Sequence, residues 1–237
     1  MKKLLLLLVF TISLFSNNLT LEERKEAKQG KEVFDKILKE SKISKDVKTL
    51  KKIKKVGLRL AKFIDKDYEW EFALIEDNQI NAFCLPGGKV VFFTGIFKVI
   101  ENNDQLAAIM SHEIAHVTLR HAHLRAVTDS ILTIPQTVGK DLLGDLIPKD
   151  LHPLLDTVYK IGKNLTLLMP YDREQESEAD RKGIQLMHKA GYNPHAAIKL
   201  WKNINAISQD DMPEFLSTHP SNDERIRVIE DEIKILN

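Results

Sequence analysis

The segment from Ser111 to Arg125 reads SHEIAHVTLRHAHLR and holds four of the chain's eight histidines. His112 and His116 are four residues apart, so on a helix their side chains lie one turn apart on one face, close enough to share a metal ion. Glu113 sits about 100° round from His112, near such an ion without having to ligate it. From there its carboxylate could take a proton from a metal-bound water, whose pKa the metal lowers to about 7. This is the H-E-x-x-H arrangement of zinc-dependent hydrolysis. The motif alone is suggestive, since two hydrogen-bonded core histidines would also produce it. Buried charge costs several kcal/mol unless it is paired, so a compensating partner must come from elsewhere in the chain.

A hydrolytic zinc site needs a third protein ligand and one position open to water or substrate. An extended histidine arrangement, with Gly and His three and six residues past the second His, is absent, because those positions are Leu119 and Ala122. A distant carboxylate remains. The stretch MPYDREQESEADRKG, residues 169–183, offers Asp172, Glu174, Glu176, Glu178 and Asp180, and helical phase sorts them. Glu174, Glu178 and Lys182 share a solvent face with Gln185 and Lys189, where Glu178 and Lys182 can pair at i,i+4. Glu176 and Asp180 share the other face with Ala179, Gly183 and Met187, which is small or apolar and so turns to the core. An inward acidic pair needs a cation, and two inward histidines need the same ion. His112, His116 and Glu176 are therefore the expected metal ligands, with one zinc per chain shared by two helices. Asp180 is expected to accept a hydrogen bond from a ligand histidine and orient it.

The elements that would position these residues read as α+β and predominantly helical. VFDKILKESKISKDVKTLKKIKKVGLRLAKFI is an amphipathic helical segment with a lysine face. YEWEFALIED alternates Trp70, Phe72 and Leu74 with polar or small residues, a strand pattern. INAFCLPGGKVVFFTG places two apolar runs around Pro86-Gly87-Gly88, a hairpin signal. Asn102 with Gln105 three residues on resembles a capping box opening the helix that carries the motif. Residues 128–169, interrupted by Pro135, Gly139, Gly144, Pro148 and Pro153, are the least regular part and could form a lid. Helices are expected over 172–189, 194–207 and 223 to the end. His121 and His123 read as surface or helix-end residues, and Trp70 and Trp201 as core anchors.

At 237 residues and 43% apolar content, the chain can bury one sizeable core. The opening MKKLLLLLVFTISLFS, residues 1–16, has two lysines before an apolar run that is short for a bilayer, the pattern of a secretory signal or N-terminal anchor. Cys84 is the only cysteine, so no intrachain disulfide can form and an exported chain must rely on its core or a metal. Net charge is +1, but residues 21–66 carry 16 basic against 8 acidic groups. The plainer reading of that run is a solvated lysine face; the sharper one is association with an anionic membrane surface. Nucleic acid is disfavoured by the export signal. The expected organisation is a signal or anchor over 1–16, a basic helical region over 17–66 and a zinc domain over 67–237.

His112-Glu113-Ile114-Ala115-His116 followed by Asp172-Arg173-Glu174-Gln175-Glu176-Ser177-Glu178-Ala179-Asp180 resembles the M48 family of zinc metallopeptidases, which pair HExxH with a later ExxxD. Asn81-Ala82-Phe83 with Pro86-Gly87-Gly88 resembles the hairpin that family places before its metal helix. Ser217-Thr218-His219-Pro220 with Glu224-Arg225-Ile226 resembles its C-terminal signature. The resemblance covers roughly residues 70–229 and departs at Asp172, where Ser is usual. It implies a zincin-like (gluzincin) fold with a small antiparallel sheet and the metal between two helices. It further implies an endopeptidase of the bacterial envelope, in the periplasm, acting on unfolded or misassembled outer-membrane proteins. Glu113 is then the catalytic base, and His219 is a candidate oxyanion donor or a ligand that fills the open zinc position and holds the enzyme off. Lys89 to Phe93 could pair with an extended substrate as an added strand. Arg173 and Arg225 match family positions whose roles spacing does not assign. The rival function is a zinc-stabilised holdase or scaffold without turnover. A water-activating Glu113 argues against it, because structural sites usually fill all four positions with Cys or His.

Overall fold

The structure is a computed structural model that describes residues 18–121, 173–207, 215, 216, 219 and 223–236. The segment read as a signal and the suggested lid lie outside those residues, as does His123. Helix α1 spans Leu21–Glu40 and opens on a capping box, in which the Thr20 hydroxyl accepts from the Glu23 amide and the Glu23 carboxylate accepts from the Thr20 amide. The basic run then breaks. Ile43 bridges Ile75 of the sheet, and Asp46 caps helix α2, Val47–Ala61, by accepting from the Thr49 amide at 2.9 Å. Two helices therefore replace the one segment expected. Ile53, Val56, Gly57 and Leu60 of α2 are buried, and Lys48, Lys51, Lys52, Lys54 and Lys55 point to solvent.

Three strands follow: β1 (Glu71–Ile75), β2 (Ala82–Leu85) and β3 (Lys89–Phe93), in the order β1-β3-β2. The expected hairpin is present, with β2 antiparallel to β3 and Gly87 and Gly88 in the left-handed region at the turn (φ 77° and 80°). β1 runs parallel to β3, so the small sheet is mixed rather than antiparallel. The physical reason lies in KVVFF. Every residue of β3 is buried, and a strand with no polar face belongs at the centre with both faces covered. That position corrects the idea of strand addition at Lys89 to Phe93, because both edges of β3 are already paired.

The sheet divides the core in two. On one face Ala73, Ile75, Phe83, Leu85, Val91 and Phe93 pack with Phe34 and its neighbours on α1. α1 comes so close to the hairpin turn that a Cβ at Gly30 would lie 2.2 Å from the Pro86 carbonyl oxygen. On the other face Leu74, Val90 and Phe92 pack with α2 and with helix α3 (Asn103–Thr118). Helices α4 (Arg173–Lys189), α5 (His195–Asn205) and α6 (Asp223–Leu236) complete that layer through Ile184, Met187, Leu200, Trp201, Ile229 and Ile233. Among the described residues no helix is long and apolar enough to cross a membrane.

α3 is the centre of this arrangement. Asn102 caps it by accepting from the Gln105 amide at 2.9 Å, as the sequence predicts, but the Gln105 side chain accepts from the Glu101 amide one residue earlier rather than from Asn102, so the reciprocal half of the expected capping box is displaced. Every residue from Gln105 to His116 is buried, so this stretch of α3 is covered on all sides. Small residues let its neighbours close in. A Cβ at Gly57 would lie 2.1 Å from the Phe72 ring and 2.9 Å from the Met110 sulfur, and one at Gly183 of α4 would lie 3.1 Å from the His112 amide nitrogen. The Gly183 contact sets the distance between the two helices that carry the chemistry.

One prediction follows from that crossing. Gly183→Val must push α4 off the α3 backbone, and overpacking of this kind costs about 1–3 kcal/mol. The thermal midpoint is expected to fall by roughly 2–4 °C per kcal/mol for a chain of this size, measured by circular dichroism. A midpoint equal to that of the parent would show that the contact is not a constraint.

Candidate metal centre

The H-E-x-x-H turn of α3 faces the first two turns of α4, and His219 enters from the chain beyond α5. One atom each from His112, His116, Glu176 and His219 lies within 4.8 Å of the others, and all four residues are buried. The edges of the group are short. His112 Nε2 is 3.0 Å from His116 Nε2 and 3.2 Å from His219 Nδ1, while Glu176 Oε1 is 3.3 Å from His116 Nε2 and 3.0 Å from His219 Nδ1. A tetrahedron with metal–ligand bonds of about 2.0–2.1 Å has edges of roughly 3.3 Å. The donor set is thus spaced as ligands around one ion are spaced.

The tautomers point the same way. His112 Nδ1 is 3.0 Å from Asp180 Oδ1, which fixes its proton on that side and leaves the Nε2 lone pair facing the group. His116 Nδ1 faces His121 Nδ1 at 2.8 Å, so its Nε2 also faces inward. Nitrogen lone pairs and a carboxylate oxygen converging at about 3 Å repel one another unless a cation lies among them. The surrounding charges ask for the same thing. Burial opposes charge on His112, but Glu176 and Asp180 outweigh it and raise its pKa to about 9. Glu176 is held well below the usual carboxylate range, because His219, Arg225 and His112 overcome its burial, and the pKa of Asp180 is lowered, chiefly because Arg225 overcomes its burial. Burial pushes His116 well below the usual imidazole range.

Arg225 is the residue sequence reasoning left without a role. Its Nε and Nη2 each lie 2.7 Å from an oxygen of Asp180, and its Nη1 lies 2.5 Å from Glu176 Oε2. The guanidinium carbon sits 3.9 Å from the centre of the Trp201 ring, so Trp201 is a platform for this cation as well as a core anchor. Nothing in helical spacing links α6 to α4, and the one available signal was the match of Glu224-Arg225-Ile226 to the family's C-terminal signature. Glu113 is 3% exposed, its pKa is raised by burial, and its Oε1 accepts no hydrogen bond among the described residues. His219 Nε2 lies 3.4 Å from that oxygen.

Two sequence expectations require correction. His121 is fully buried against His116, not a surface residue. A continued helix would have carried it to another face, but the chain leaves α3 at Leu119 and turns back through Arg120 at φ 57°. Glu178 is on the solvent side as expected, yet its partner there is His121 Nε2 at 3.1 Å rather than Lys182. Arg173 is exposed in the first turn of α4.

Comparison with known proteins adds the lineage. Residues 47–233 match the model of peptidase family M48. The chain is 40% identical to the mitochondrial metalloendopeptidase OMA1 of Schizosaccharomyces pombe over 173 residues, which is 70% of this chain and 47% of that protein. It is 32% identical to the beta-barrel assembly-enhancing protease of Escherichia coli K12 over 179 residues, 72% of this chain and 36% of that one. Against human OMA1 it is 31% identical over 166 residues, 68% and 32%. It therefore spans less than half the length of these relatives. With the match running from the start of α2 into α6, and so across both helices that carry the site, the chain belongs to peptidase family M48.

Proposed function

We propose that this chain is a zinc-dependent endopeptidase of the cell envelope that cleaves unfolded or misassembled membrane proteins. The observation that carries the chemistry is Glu113, a buried carboxylate with an oxygen that accepts no hydrogen bond among the described residues, beside four convergent ligand atoms. The envelope and the substrate class are supported by the relative named for beta-barrel assembly and by the signal-like opening of the sequence. Two imidazoles and a carboxylate suit zinc better than the harder cations. His112, His116 and Glu176 would hold the ion, with Asp180 and Arg225 locking His112 and Glu176 in place. Zinc bound there would polarise the scissile carbonyl and acidify a water. Glu113 would take the proton from the attacking water and deliver it to the leaving amine, and its raised pKa suits a group that must hold a proton in passing. The exclusion of solvent around α3 keeps that carboxylate's field unscreened.

The position of His219 favours a latent resting state. Its Nδ1 stands within the ligand group, and its Nε2 covers Glu113. As fourth ligand it would close the position that substrate needs, and it must swing away before cleavage.

Two outcomes test this reading. With casein as substrate and bound zinc measured in parallel, Glu113→Gln is expected to lose at least about 100-fold in cleavage while keeping its metal. Cleavage that survives the substitution would remove Glu113 from the chemistry, and unfolded-protein binding without any turnover in the parent would favour a holdase. His219→Ala is expected to raise basal caseinolysis with zinc retained, and unchanged or lower cleavage in that variant would refute latency.

A further inference from the structure

We propose that His121 is a positioning residue for the metal centre, fixing the tautomer and ring orientation of His116; the inference rests on the metal reading above. The two imidazoles meet edge to face, with ring centres 5.0 Å apart and planes at 72°, and their Nδ1 atoms are 2.8 Å apart. One proton must lie between them. A histidine that ligates through Nε2 carries its proton on Nδ1. His116 therefore donates, His121 Nδ1 accepts, and the remaining proton of His121 sits on Nε2, where Glu178 Oε2 accepts it at 3.1 Å. A single assignment of tautomers satisfies every one of these contacts. His112 is oriented by a carboxylate, Asp180, whereas His116 is oriented by a neutral imidazole that is itself tied to a half-exposed carboxylate.

The backbone is shaped to deliver this contact. Arg120 adopts the left-handed conformation, which L side chains rarely enter, and that turn folds His121 back toward α3. Its guanidinium is held by the buried carboxylate of Glu26, with Nη2 on Oε1 and Nε 3.3 Å from Oε2. Glu26 belongs to α1, which precedes the family match at residue 47. The N-terminal helix thus anchors the turn that sets the second ligand histidine.

The test uses the full chain and zinc alone as the probe, with affinity measured by competition against a chromogenic chelator. His121→Leu keeps the bulk and removes the acceptor, and zinc affinity is expected to fall about 10–100-fold. His121→Asn places an amide oxygen near the former Nδ1 and is expected to restore most of that loss. Equal affinity in His121→Leu and the parent, or equal loss in the Leu and Asn variants, would overturn the positioning role while leaving the metal reading intact. A parent that binds no zinc would overturn both. Nitrogen NMR of the zinc-loaded parent decides the point without any variant: protons are expected on Nδ1 of His116 and Nε2 of His121, and a proton on Nδ1 of His121 would refute the proposal.

Discussion

Two ionised carboxylates, Glu176 and Asp180, are buried in the middle of this fold, and much of its interior exists to compensate them. Each is at most 3% exposed, and an unpaired charge at such depth would cost several kcal/mol, a large fraction of a domain's total stability. Compensation comes from three directions: imidazoles from α3, a guanidinium from α6, and His219. Arg225 takes Asp180 with two of its nitrogens and Glu176 with the third, which a lysine could not do. Breaking a buried pair of this kind by removing one partner typically costs about 3–5 kcal/mol. The site is therefore also a staple joining α3, α4 and α6.

That staple demands close, fixed geometry, and the rest of the fold supplies it. From Gln105 to His116, α3 is buried on every side because the sheet, α2, α4 and α5 surround it. Gly57 and Gly183 allow two of those neighbours to approach to backbone or ring contact. β3 can be wholly buried because α1 covers one face of the sheet and the helical layer the other. Solvent is excluded from Glu113 as a result, and the same burial that raises its pKa makes it suited to proton transfer.

Much of the site is local in sequence and so was legible there. The four-residue spacing of His112 and His116 holds on any helix, and the phase of Glu176 and Asp180 places them on the small-residue face of α4 beside Gly183. The hairpin and the Asn102 cap follow from turn and capping chemistry that acts over three or four residues. What stayed hidden depends on tertiary contact or on a departure from regular backbone. Arg225 reaches Asp180 from 45 residues away. His121 joins the site only because Arg120 leaves helical conformation, and helical extrapolation sends it elsewhere. The parallel pairing of β1 with β3 reflects which strand must be central, a global property of burial rather than of any single segment.

A crystal structure of the full chain grown with zinc, with data collected on both sides of the zinc absorption edge, would test the central claim most directly. One anomalous peak is expected within about 2.0–2.2 Å of His112 Nε2, His116 Nε2 and a Glu176 oxygen, with His219 Nδ1 as the fourth ligand in the resting state. Glu113 is expected beside the ion without touching it. The absence of a peak there, with Glu176 bonded directly to a protonated His112, or a peak elsewhere in the molecule, would contradict the assignment of these residues to a metal centre.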